Sequence, residues 1–163
     1  MKVAKAPALI LAALILLTAC GSPGPRDTEF RQLVPEADLN RSILLDLVSQ
    51  DDPGPGILVT IQLRNTSNLG VVFPSGYGAT GLVWNEDAGE WTAIENEVRF
   101  PDAQFALGPA GGDIPSVGLV NFSPGMEWPD APAVRVVVIG NLVTDDLTNH
   151  EKVAAFIDVP VPK

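Results

Sequence analysis

The chain is poor in the residues that most protein chemistry uses. It has one cysteine, one histidine and one tyrosine in 163 residues. A lone cysteine closes no disulfide within the chain and builds no cysteine-rich metal site. A zinc centre needs more nitrogen and sulfur ligands than Cys20 and His150 supply. His150, between Asn149 and Glu151, reads as a solvated turn residue. No Gly-x-Ser-x-Gly segment occurs, so there is no nucleophile elbow. Basic residues are also scarce, 10 against 20 acidic ones for a net charge of −10. They form no cluster, which excludes a nucleic-acid role that depends on neutralising phosphates. After Gly56 no amphipathic helical pattern longer than ten residues is convincing. The one long apolar run, residues 6–17, is short for a membrane span. These absences point to a non-enzymatic protein.

What the chain does have begins at that run. Lys2 and Lys5 precede it, and Leu17-Thr18-Ala19-Cys20 closes it. This arrangement resembles the signal peptide and lipobox of bacterial lipoproteins. The resemblance implies that residues 1–19 are removed and that Cys20 becomes the acylated first residue. It also implies a place in the bacterial cell envelope, on the outer side of the cytoplasmic membrane or on the outer membrane. Two or more acyl chains would hold the protein stably, whereas one is marginal. Losing Lys2 and Lys5 leaves 8 basic and 20 acidic residues, a net charge of −12. Such a domain is repelled by anionic headgroups while its anchor holds it to them.

Residues 20–40 read as the lipidated cysteine followed by a tether that opens with Gly21-Ser22-Pro23-Gly24-Pro25. Roughly 20 coil residues reach about 25 Å. Residues 41–163 read as one all-β domain. Arg41–Gln50 suits a strand better than a helix, given the β character of all that follows. Leu58–Asn65 alternates Val59, Ile61 and Leu63 with Thr60, Gln62 and Arg64, the pattern of a half-buried strand. Further strands are expected at 71–73, 81–84, 90–94, 97–100, 104–107, 117–122, 133–139 and 153–161. Asn85–Gly89 is a hairpin loop with Gly89 at positive φ. Arg135, inside a Val/Ile run, is expected to point its charge outward. Seven to nine short strands with frequent turns and no room for helical crossovers predict an immunoglobulin-like antiparallel β-sandwich.

Some of this order resembles a known family more specifically. Leu63-Arg64-Asn65-Thr66-Ser67 ends an early strand, followed by Phe73-Pro74-Ser75-Gly76. Leu82-Val83-Trp84, the acidic turn 85–89, Trp91 and Leu107-Gly108-Pro109 come next. The sequence is thus similar, over residues 63–122, to the bacterial intracellular proteinase inhibitor family. That resemblance implies the sandwich and, as one reading, a proteinase-inhibitor-like domain. Gly78, Ala110 and Gly111 depart from the family's pattern.

Two groups of residues are candidate sites. Trp84 and Trp91 flank the acidic loop as expected cross-strand neighbours, and Tyr77 lies between two glycines nearby in sequence. Flat aromatics beside Asn and Asp suit a peptide or a sugar. The turn carboxylates Asp51, Asp52, Asp145 and Asp146 are candidate ligands for Ca²⁺. Two readings follow. One is an interaction module for an envelope protein, using the tryptophans or an added strand. The other is a polysaccharide or small-ligand binder stabilised by Ca²⁺.

Overall fold

A computed structural model describes residues 39–51, 56–143 and 151–163. The lipobox residues Leu17, Thr18, Ala19 and Cys20, the carboxylates of Asp52, Asp145 and Asp146, and His150 lie outside the described residues.

Nine strands run through them: β1 (Ile43–Asp51), β2 (Leu58–Asn65), β3 (Val71–Phe73), β4 (Thr80–Asn85), β5 (Glu90–Ile94), β6 (Phe105–Leu107), β7 (Ser116–Phe122), β8 (Ala133–Leu142) and β9 (Lys152–Pro160). One sheet has the order β1-β2-β7, and the other joins the remaining six strands. All ladders between strands are antiparallel. β8 is the spine of the six-stranded sheet. β9 lies along one edge of it, while β3 and β4 follow each other along the opposite edge. The result is an immunoglobulin-like antiparallel β-sandwich.

The sequence pattern explains the layers. In β2 every second residue, Val59, Ile61, Leu63 and Asn65, is buried and its neighbours are half-buried. β8 is buried on both faces over Val134–Val138, as its nearly continuous Val/Ile run, broken only by Arg135, leads one to expect. Val59, Ile61, Leu63, Val120 and Phe122 from one sheet meet Val71, Phe73, Val134, Val136 and Val138 from the other. Each large side chain fully buried there contributes about 1.5–3 kcal/mol.

Close packing extends to the glycines of this interface. A Cβ on Gly140 would stand 2.6 Å from Val71 Cγ1 and 2.7 Å from Phe73 Cε1, both rigidly packed. Gly140→Ala should therefore cost about 1–3 kcal/mol in urea unfolding through overpacking. An unchanged midpoint would mean that Val71 and Phe73 pack more loosely over Gly140 than described.

Two sequence expectations need correction, and β1, a strand as expected, carries an irregularity. A bulge between Leu47 and Ser49 inserts an extra residue, leaving Leu47 and Val48 exposed. Residues 97–100 form no strand. Instead the Asn96 side chain attaches the segment to the end of β7. Its Nδ2 donates to Asn121 O at 3.0 Å, and its Oδ1 accepts from Ser123 N at 3.0 Å and Val98 N at 3.1 Å. Arg135 does leave the core face, but aromatic rings cover it and it is only 3% exposed.

Candidate functional site

The hairpin of β4 and β5 is built by its loop. Asn85 O accepts from Gly89 N at 2.8 Å, and Asn85 Oδ1 accepts from Ala88 N at 3.0 Å. Gly89 takes φ 66°, a conformation costly for residues with a Cβ. This closure fixes the register, so Trp84 pairs with Trp91. Their rings meet edge to face with centroids 5.4 Å apart, and both are half-buried.

Trp91 also forms part of a second apolar cluster, on the outer face of the six-stranded sheet. Leu82, Val137 and Ala154 are its buried centre, with Leu39, Ile139 and Phe156 against them. Arg135 is set into this cluster. Its guanidinium carbon lies 3.8 Å from the Phe156 ring centroid and 5.2 Å from that of Trp91. Asp158, directly opposite on β9, takes it in a bidentate pair: Nε donates to Oδ1 at 2.7 Å and Nη2 to Oδ2 at 2.8 Å. The remaining guanidinium nitrogen, Nη1, is buried and has no acceptor. Trp91 Nε1 is in the same condition.

These groups floor a groove of about 850 Å³. Trp84, Trp91 and the loop carboxylates Glu86 and Asp87 line one wall. Asp130, Ala131, Pro132 and Ala133 line the other. Asp158 is balanced by Arg135, so Glu86, Asp87 and Asp130 are the carboxylates of the lining left without a basic partner there. The volume is in the range of small-ligand sites, but the lining is more polar than theirs usually is, with two indoles set among Asn85, Thr92 and four carboxylates.

Tyr77 is not part of this site. Gly76, Tyr77 and Gly78 all have φ near +60°, an abrupt left-handed turn between β3 and β4. It turns the tyrosine ring onto Phe105 at 4.8 Å and Phe73 at 5.4 Å. Burial there raises the phenol pKa above its ordinary value. Asp51 ends β1 as an exposed residue. Among the described residues no group of three or more His, Cys, Asp or Glu is placed to hold a metal ion. No helix among them is long and apolar enough to cross a membrane.

Sequence reading missed Arg135, Asp158 and the wall 130–133 as site residues. The available signal was an arginine inside a Val/Ile run and an aspartate in the final strand. Pairing them requires the β8–β9 register.

No protein-family model matches the chain, and no curated protein matches it. Among solved structures, a penta-heme cytochrome c552 from Thermochromatium tepidum is similar at 16% identity with a TM-score of 0.37. The match covers 74% of this chain, which spans 40% of that protein's length.

Proposed function

We propose that the protein is a non-enzymatic binding module, anchored in the bacterial cell envelope by acylated Cys20, that engages its partner through the Trp84–Trp91 groove. The observation that carries this reading is the groove itself: two half-buried tryptophans beside a buried Arg135 that is paired with the exposed Asp158. Aromatic and arginine side chains in such settings dominate binding energy at interfaces.

A polysaccharide is the second reading, favoured by the same flat indoles, which stack on sugar rings. Either ligand requires the tryptophans. The acylated W84A/W91A protein, immobilised and exposed to envelope extract, should lose at least tenfold of the material that the wild-type protein retains. Its melting temperature should stay within a few degrees, because both rings are only half-buried. Equal retention by the two forms would remove the groove from the account.

A further inference from the structure

Resting on the groove as the binding site, we infer that its ligand is a basic peptide segment: an extended stretch of an envelope protein carrying Lys or Arg. Charge makes the first part of the argument. Glu86, Asp87 and Asp130 line the groove on both walls, all exposed, and no Lys or Arg of the lining balances them. Arg135 is the one basic residue of the lining, and Asp158 already holds it. The whole chain carries a net charge of −10, so the long-range field also attracts cations and repels anionic glycans and phospholipid headgroups. Between the carboxylates stand two indoles, whose faces attract ammonium and guanidinium groups. A neutral sugar would stack on the indoles and donate hydroxyls to the carboxylates but would leave their charge uncompensated.

The second part separates a peptide from a simple amine. Two buried donors of lining residues, Arg135 Nη1 and Trp91 Nε1, have no acceptor. Arg135 itself is 3% exposed, so this is a built feature of the groove floor and not a surface arginine. Unmet buried donors are unfavourable and are relieved by an acceptor that reaches them. A polyamine carries cations but no acceptor. A peptide carries both: basic side chains for the carboxylates and main-chain carbonyls, which meet the two buried donors where the half-buried Trp91 ring moves aside to expose them. The lining runs from the β4–β5 hairpin across Arg135 and Asp158 to the strip at 130–133, a surface long enough for an extended chain.

The test uses full-length acylated protein in neutral detergent micelles, with ¹⁵N-labelled indoles as reporters. The probes are a lysine-rich decapeptide, the same peptide with glutamate for lysine, spermine and a neutral oligosaccharide. The lysine peptide should shift the Trp84 and Trp91 indole signals and bind at least tenfold more tightly than the other three. Its affinity should fall several-fold between low and physiological salt. E86Q/D87N/D130N, which alters only exposed side chains, should weaken it at least tenfold with no change in melting temperature. Equal binding of the glutamate peptide, or an undiminished affinity in the triple variant, would overturn the inference. Preference for spermine would overturn the peptide assignment, and preference for the oligosaccharide would overturn the charge argument, each leaving the groove as the site. If no probe moves either indole while W84A/W91A still loses its envelope partner, the inference fails and the groove reading stands. If that variant retains its partner, both fail.

Discussion

Asn65→Asp is expected to abolish the folded state or to cost more than about 4 kcal/mol, near the limit for a single substitution. Asn65 ends β2 facing inward and is fully buried. Its amide hydrogen-bonding capacity, two donors and two lone pairs, is fully engaged. Nδ2 donates to Leu69 O at 2.7 Å and Gly108 O at 2.8 Å, while Oδ1 accepts from Ser67 N at 3.0 Å and Ser67 Oγ at 2.8 Å. The side chain thereby ties the end of β2 to the start of β3 and to the turn after β6. A carboxylate would place a buried negative oxygen against two carbonyl oxygens, with neither donor replaced. Asn65→Ala removes the same bonds without adding charge and should cost about 2–4 kcal/mol, since two carbonyls lose their donor. Small domains have about 5–15 kcal/mol in total, so the aspartate variant should lose a large part of its stability, seen as a much lower urea midpoint and, at the low end of that range, as partial unfolding by circular dichroism. Both variants unfolding within 1 kcal/mol of the wild type in urea would mean that Asn65 is not the tie described.

The second large effect is expected at the Arg135–Asp158 pair. Asp158→Ala leaves a guanidinium between the Trp91 and Phe156 rings with no counter-charge, a change that costs about 3–5 kcal/mol for fully buried pairs. The Asp158 side chain is 38% exposed, so water can reach part of the site. The expected cost is accordingly about 2–4 kcal/mol. The direction of the double variant is the sharper prediction. Arg135→Met combined with Asp158→Ala removes the charge together with its partner and keeps an apolar stem among Leu82, Val137 and the two rings. It should lie within about 1 kcal/mol of the wild type, because exchanging a buried pair for apolar packing is often neutral. A double-mutant cycle in urea measures this coupling. Additive losses would mean that the two side chains act independently, against the bidentate geometry.

Most of the β architecture was legible because local pattern and tertiary position agree. Val59, Ile61 and Leu63 alternate with polar residues, and they are the core residues of β2. The Trp84–Trp91 pairing was legible for a similar reason. Asn85 and Gly89 close a loop of set length, and loop length fixes register. Tyr77 was misplaced because flanking glycines suggest an exposed, open turn. Three consecutive left-handed residues instead fold the ring back onto Phe73 and Phe105, a conformation that residue spacing does not reveal. Arg135 was misjudged for a different reason. Its outward direction follows from alternation along β8. Its burial depends on Trp91 and Phe156, which come from strands far apart in sequence. The wall 130–133 has no periodicity at all, so only its place beside the hairpin marks it.

On the proposed reading, the protein meets its partner at the Trp84–Trp91 groove. The most direct measurement is site-specific photo-crosslinking in living cells, with the acylated protein carrying the crosslinker at Thr92 or at Val48. Thr92 is exposed and lines the groove, whereas Val48 is exposed on β1 of the other sheet. The account predicts a discrete envelope adduct from position 92, absent from position 48 and lost when Trp84 and Trp91 are replaced by alanine. The same adducts from both positions, or an adduct at 92 that survives loss of both indoles, would contradict it.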